Sequence, residues 1–116
     1  MKIGNWRALP SLPFNQTGMR QIFFGENMTL ARHVMNPGFP AYPHSHPHEQ
    51  IIFVLEGRCS VTIGDEKTGM GPGDMVLVPP DALHDIEVVG EETVVLIDIF
   101  SPARKDFVEM FEEAGQ

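Results

Sequence analysis

"HSHPHEQIIFVLEG", residues 44–57, runs from a histidine-rich turn straight into an apolar stretch that a glycine closes. In extended chain, side chains two residues apart share a face, so His44 and His46 stand side by side with Ser45 turned away. Two neutral imidazoles on one face form a chelating pair for a divalent transition metal such as Zn, Ni, Fe, Mn or Cu. The same spacing also occurs among surface histidines, so the pair needs support from elsewhere in the chain. Gln50 opens the apolar run, where an inward-pointing polar side chain needs a use. "GDMVLVPPDALH", residues 73–84, then reads as a strand ending in two prolines with a histidine in the polar turn beyond. His84 is the natural third imidazole.

Working outward, "QIIFVLEG" (50–57) is apolar on both parities, as for a strand covered on both sides. "RCSVTIG" (58–64) returns as its hairpin partner, and "GPGD" (71–74) places Pro72 and Gly73 at the two central positions of a type II turn. "MRQIFF" (19–24), "MTLARHVM" (28–35), "DMVLVPP" (74–80), "HDIEVV" (84–89) and "TVVLIDIF" (93–100) read as further strands between Gly- and Pro-rich turns. About eight short strands predict an all-β barrel or sandwich, because closure removes exposed edges. Residues 1–17, with Pro10 and Pro13, read as an extended arm. Its Trp6, Leu9, Leu12 and Phe14 are too apolar to hang in water and predict packing on a partner subunit or on the protein's own barrel. Only the tail reads as a helix, over 102–114. Ser101 is a candidate cap, Pro102 suits the first turn, Phe107, Met110, Phe111 and Ala114 repeat at helical spacing, and Gly115 ends it.

The chain has 116 residues, room for one domain (1–116: arm 1–17, barrel 19–100, tail helix 102–114). Eight basic against sixteen acidic residues give a net charge of −8, which argues against a nucleic-acid or anionic-membrane surface. The sequence has no apolar run long enough to span a membrane and no signal-peptide centre, so a cytoplasmic protein is expected. The single cysteine, Cys59, excludes an internal disulfide framework and fits a reducing compartment.

The last strand carries an oddity. Val94, Leu96, Asp98 and Phe100 share one face, and a carboxylate amid such neighbours is costly unless paired, ligated or used. Arg104, just past the strand, is placed to fold back over the same end. An ion pair of Asp98 with Arg104 or Arg20 is the structural alternative. His48 reads as a surface or supporting residue, and His33, flanked on its face by Ala31 and Met35, as a packed one.

These motifs resemble the cupin family. Its first motif places a Gly, five residues, His-x-His, three or four residues, Glu, six residues and Gly. This chain has Gly38, His44, His46, Gln50 and Gly57 at those spacings, with Gln in place of Glu. Its second motif is met by Gly73, Pro79 and His84, while Asp81 stands where that motif has a Gly and Val88 where it has an Asn. The resemblance implies a double-stranded β-helix (a jelly-roll barrel) with one divalent metal (Zn, Ni, Fe or Mn) held by His44, His46, Gln50 and His84, Glu49 being the alternative to Gln50. With "DIFSPARKDF" (98–107) added, the chain is similar to the small pectin-degradation cupins. That similarity implies linearisation of cyclic 4,5-unsaturated monouronates, anionic sugar acids, with Asp98, Phe100 and Arg104 as catalytic residues, and a homodimer. A neutral donor set would leave the metal its full double charge and favour acid–base over redox chemistry. In that reaction Asp98 would move protons, Arg104 would hold the substrate carboxylate and Phe100 would form a wall. The alternatives are a cupin of another class with the same metal site, a dioxygenase or another isomerase, and a non-catalytic ligand-binding cupin.

Overall fold

Burial alternates along β3 (Thr29–Met35) over its whole length, as it must where one face of a strand meets a core. The computed structural model describes residues 1–114. Around β3 stand β1 (Leu12–Asn15), β2 (Gly18–Phe24), β4 (Glu49–Glu56), β5 (Cys59–Ile63), β6 (Glu66–Met70), β7 (Met75–Val78), β8 (His84–Val88), β9 (Val94–Ser101) and the helix α1 (Lys105–Glu113). Six strands form one sheet in the order β1-β2-β3-β9-β4-β7, and β6-β5-β8 form the second, every pairing antiparallel. This is the all-β jelly roll with a short C-terminal helix.

Turn chemistry sets much of the register. Asp74 N–H donates to the Gly71 carbonyl at 3.0 Å, closing the Pro72–Gly73 turn, with Gly73 at φ 91°. Gly57 sits at φ 78°, and a Cβ there would run into the Thr93 carbonyl, so only glycine fits where β4 turns into β5.

One apolar cluster, with Met35, Ile52, Val54, Val61, Val94 and Leu96 among its members, fills the space between the two sheets. A second gathers Ile22, Ala31 and Phe100 beneath Phe107 and Phe111 of α1. Between the clusters runs a row of polar side chains from β2, β3, β9 and β4.

Several details differ from the sequence expectation. Strand β6 was not foreseen, because "EKTGM" is exposed except at Met70 and has no apolar alternation. The helix begins at Lys105 rather than Pro102. Ser101 is the last residue of β9, paired with Glu49, and so caps nothing. Pro102 follows a cis peptide bond ahead of the helix, and the residue before the helix, Arg104, makes no side-chain cap. The buried stripe is Phe107 and Phe111 alone; Met110 is 44% exposed and Ala114 is also exposed, because an i, i+4 pair suffices to cover Ile22 and Phe100. The predicted stop at Gly115 lies outside the described residues.

The arm packs on its own barrel. Strand β1 extends the large sheet beyond β2, Phe14 stacks on Phe39 at 5.4 Å, and the carbonyls of Trp6 and Leu9 both accept from the Gln21 amide nitrogen.

Candidate metal centre

Backbone pairing brings the two histidine segments together. His44 and His84 face each other across an antiparallel bridge, with N–H···O distances of 3.0 and 2.9 Å in the two directions. Directly opposed residues present their side chains on one face, and these two ring centroids lie 4.3 Å apart. His46 joins them from two residues along the same face. One donor atom from each ring lies within 4.8 Å of the others. Asp81 braces this loop by donating its N–H to the His46 carbonyl at 2.8 Å. It does so at φ 65°, in the left-handed region that Asp tolerates better than most residues. The position at which the family pattern has Gly thus keeps the conformation without the glycine.

Hydrogen bonds decide which nitrogens are free. Nδ1 of His44 donates to the Tyr42 carbonyl (2.7 Å), Nδ1 of His46 to that of His48 (3.1 Å) and Nδ1 of His84 to that of Ala82 (2.8 Å). A carbonyl can only accept, so His44 and His84 carry their proton on Nδ1 and turn a bare Nε2 inward, the arrangement expected of metal-ligating histidines. Nε2 of His84 is buried without a partner. Burial holds the pKa of both His46 and His84 below the ordinary histidine value of 6.5, which keeps them neutral.

Gln50 sharpens the point. Its amide nitrogen donates to Asp98 Oδ1 at 2.8 Å, so its oxygen is the atom that faces His46 Nε2, 2.9 Å away. His46 thereby has an oxygen acceptor at each nitrogen. A neutral imidazole has one N–H, so either tautomer leaves two lone pairs face to face, and burial together with the Arg104 charge opposes a second proton. A cation shared by the two lone pairs removes the conflict. Nε2 of His44, His46 and His84 with Oε1 of Gln50 therefore fit a divalent transition metal. Glu49 is exposed on the outer side of β4, while Gln50 is 3% exposed.

Asp98 lies behind Gln50, 4% exposed. Neither ion pair expected for it forms. Its Oδ2 accepts from His33 Nδ1 at 2.8 Å, and Arg20 Nε donates to the far nitrogen of that ring at 2.8 Å. Burial outweighs Asp98 in holding the His33 pKa down, and the Arg20 N–H occupies the Nε2 lone pair, so the ring is neutral with its proton on Nδ1. The result is a buried chain, Gln50–Asp98–His33–Arg20, across four neighbouring strands. Arg20 and His33 are register partners, while Asp98 and Gln50 follow as diagonal neighbours. Arg104 turns its fork on Asp106, with Nε and Nη2 donating at 3.0 and 2.8 Å, and stands over the rings of Phe100 and Phe107. Phe100 meets His46 edge-on at 5.5 Å. A cavity of about 270 Å³ opens among His44, His84, Gln50, Asp98, Arg104 and Arg20. Sequence reasoning missed the roles of His33 and Arg20 in this row. His48 contributes its carbonyl to His46 rather than its ring to the cluster, and Cys59 is buried, its thiol pushed up to about 11.

A β jelly roll with convergent imidazoles from a His-x-His turn and a later strand defines a cupin. The Cupin domain family model (Cupin_2) matches residues 31–100, and the chain belongs to that family. Its relatives include the pectin degradation protein KdgF of Dickeya dadantii, 42% identical over 67 residues, which cover 57% of this chain and 60% of that one. The protein MJ1618 of Methanocaldococcus jannaschii is 30% identical over 93 residues, covering 78% and 74% of the two chains. Among solved structures, KdgF from a Halomonas species superposes with a TM-score of 0.84 at 24% identity, over 92% of this chain and 98% of that one. An RmlC-like cupin from Shewanella frigidimarina superposes at 0.85 and 27% identity, over 92% and 96%. Among the described residues, no helix is long and apolar enough to cross a membrane.

Proposed function

We propose that this cupin is a metal-dependent enzyme that opens cyclic 4,5-unsaturated monouronates to linear keto acids. The observation that carries the reading is Asp98: a buried carboxylate beside the convergent imidazoles, held by a neutral amide and a neutral ring, with no Arg or Lys paired to it among the described residues. The similarity to a pectin degradation protein supports the substrate class.

His44, His46, Gln50 and His84 would hold a divalent ion, which would supply Lewis acidity towards a sugar hydroxyl. The remaining work falls to the chain. Asp98 takes the proton of the anomeric hydroxyl as general base. The bond between the anomeric carbon and the ring oxygen breaks, leaving an aldehyde and an enolate. Asp98 returns a proton to the former alkene carbon, so the net change is an isomerisation with no other reactant. Gln50 N–H and His33 Nδ1–H keep the carboxylate aimed through both transfers. Phe100 walls the cavity, and Arg104 stabilises the negative charge that develops during opening.

Conversion destroys the conjugated alkene, so its ultraviolet absorbance reports turnover. We expect that absorbance to fall with the metal-loaded protein and to persist after chelation. Chelator-insensitive loss would sink the metal mechanism, and no loss at all would sink the substrate. Oxygen consumption with iron restored would point to a dioxygenase instead.

We further propose a cytoplasmic homodimer. The arm is spent on its own barrel, but the outer faces of β4 and β7 leave Leu55, Met75 and Leu77 at 41%, 63% and 53% exposed, with Ile51 at 37% beside them. A row of this kind is covered by a second copy. Light scattering should give twice the chain mass; a monomer would remove the dimer.

A further inference from the structure

The charges that line the cavity do not balance in the same way. Arg104 has Asp106 on its fork. Asp85 accepts from the backbone N–H groups of Tyr42 and Ile86. Asp98 accepts from Gln50 and His33. Arg20 is different. Its one hydrogen bond runs from Nε to the neutral His33 ring, and no carboxylate pairs with it among the described residues. Its Nη1 and Nη2 find no partner there either, yet the side chain lines the cavity while only 6% of the residue is exposed.

A buried guanidinium without a counter-ion is a costly feature to keep. Burial draws its pKa down to about 10, against the opposing field of Asp98. The group is also held in place. Its central carbon lies 4.4 Å from the Phe14 ring of β1 and 3.8 Å from the Phe107 ring of α1, and its Nε is tied to His33. What remains is a planar pair of unpartnered N–H donors on a side chain that lines the cavity, a fork whose geometry matches a carboxylate. The cavity lies just below the ~300 Å³ lower bound for drug-sized ligands, the range of one sugar.

We propose that Arg20 is the residue that binds the substrate's carboxylate and makes the site specific for sugar acids over neutral sugars. This deepens the uronate reading and rests on it for the source of the carboxylate. The carboxylate-holding role expected of Arg104 passes to Arg20, while Arg104, already paired, serves the developing charge. The ligand's carboxylate then completes the polar row from the Arg20 end, as the metal does from the Gln50 end.

The test compares full-length, metal-loaded wild type with Arg20→Gln and Arg20→Lys. Calorimetric titration with galacturonate, a stable saturated uronate, and with neutral galactose reads binding without turnover. Arg20→Gln should weaken galacturonate binding about 10- to 100-fold, as for loss of a charged hydrogen-bonded partner, and leave galactose unchanged. With the unsaturated uronate, KM should rise by a similar factor while kcat moves little. Arg20→Lys should restore part of the loss, and because it keeps the charge it also guards against a variant that fails to fold. Metal content and melting temperature identify misfolding.

The proposal is overturned if wild type does not distinguish galacturonate from galactose, or if Arg20→Gln binds both as wild type does. It is also overturned if kcat collapses at unchanged KM, since Arg20 would then only be holding His33. Should wild type fail to turn over the unsaturated uronate while Arg20→Gln still loses galacturonate affinity, the ring-opening reading falls and the carboxylate anchor stands.

Discussion

Two regions of the barrel interior, built on the same strands, differ in what they ask of a side chain. The cluster around Ile52, Val54, Val94 and Leu96 contains only apolar atoms, each of these residues 0% exposed. One step along the same strands, Gln50 and Asp98 are nearly as buried but polar. The first region is held by shape and the exclusion of water. The second is held by hydrogen bonds that run from neighbour to neighbour and end, at both extremities, in groups without a partner among the described residues: Nε2 of His84 and the Arg20 fork. A core that needed only stability would not stop short in this way. The apolar region supports, and the polar row is left for ligands to finish.

If that contrast holds, substitutions on the two sides should separate function from stability. The largest effect is expected at Asp98. Asp98→Ala should lower turnover about 10²- to 10⁴-fold, the usual contribution of a general acid–base group. Assays at matched metal occupancy check this, and unchanged turnover would remove Asp98 from the chemistry.

Ile52→Ala, directly across from Asp98 in register but in the apolar cluster, should do the reverse. We expect a loss of about 2–5 kcal/mol in urea unfolding, with metal affinity unaltered. A loss of metal affinity there would show that the two regions are not separable.

Gln50→Glu tests the polar row at its join. It would set a second carboxylate 2.8 Å from Asp98, where the amide now donates. Two such groups cannot both ionise, so the metal-free variant should be less stable than wild type by about 1–3 kcal/mol at pH 8 and recover towards pH 5. Equal stability at both pH values would mean that Asp98 does not select the amide.

A smaller effect follows from the buried rings. His33, His46 and His84 all have folded-state pKa values lowered from 6.5 by burial, so the unfolded chain binds protons that the folded chain resists. Stability of the metal-free protein should therefore be full above about pH 6.5 and decline as pH falls below it, as the linkage sign requires. A melting temperature flat from pH 7.5 to about 5.5 would contradict the buried, neutral assignment. The least effect is expected at Asp81, where Asp81→Gly should change stability by less than about 1 kcal/mol, because both residues accept the left-handed conformation.

What the sequence made legible divides along the same line. Local spacing carried the His-x-His pair, the Pro72–Gly73 turn and most strands, because each depends on neighbours in the chain. Asp98 was visible as a charge on an apolar face, but its partner was not, since the pairing of β3 with β9 joins distant segments. His33 passed as a packed residue because Ala31 and Met35 flank it on its face. The register partnership of Arg20 and His33 was within reach: a hairpin centred between Glu26 and Asn27 sets them opposite each other. Strand β6 left no apolar trace, being paired through its backbone with charged side chains outward. The helix start was misplaced because Ser101 and Pro102 look like a helix opening locally, while Glu49 across the sheet holds Ser101 in β9.

The most direct measurement is the divalent metal bound by the purified full-length protein and by His84→Ala, determined by elemental mass spectrometry after equilibration with Zn, Ni, Mn or Fe(II) and desalting. Convergent bare nitrogens predict about one ion per chain in the wild type and a loss of most of it in the variant. Wild-type protein that retains none of these ions, or a variant that retains as much, would contradict the centre.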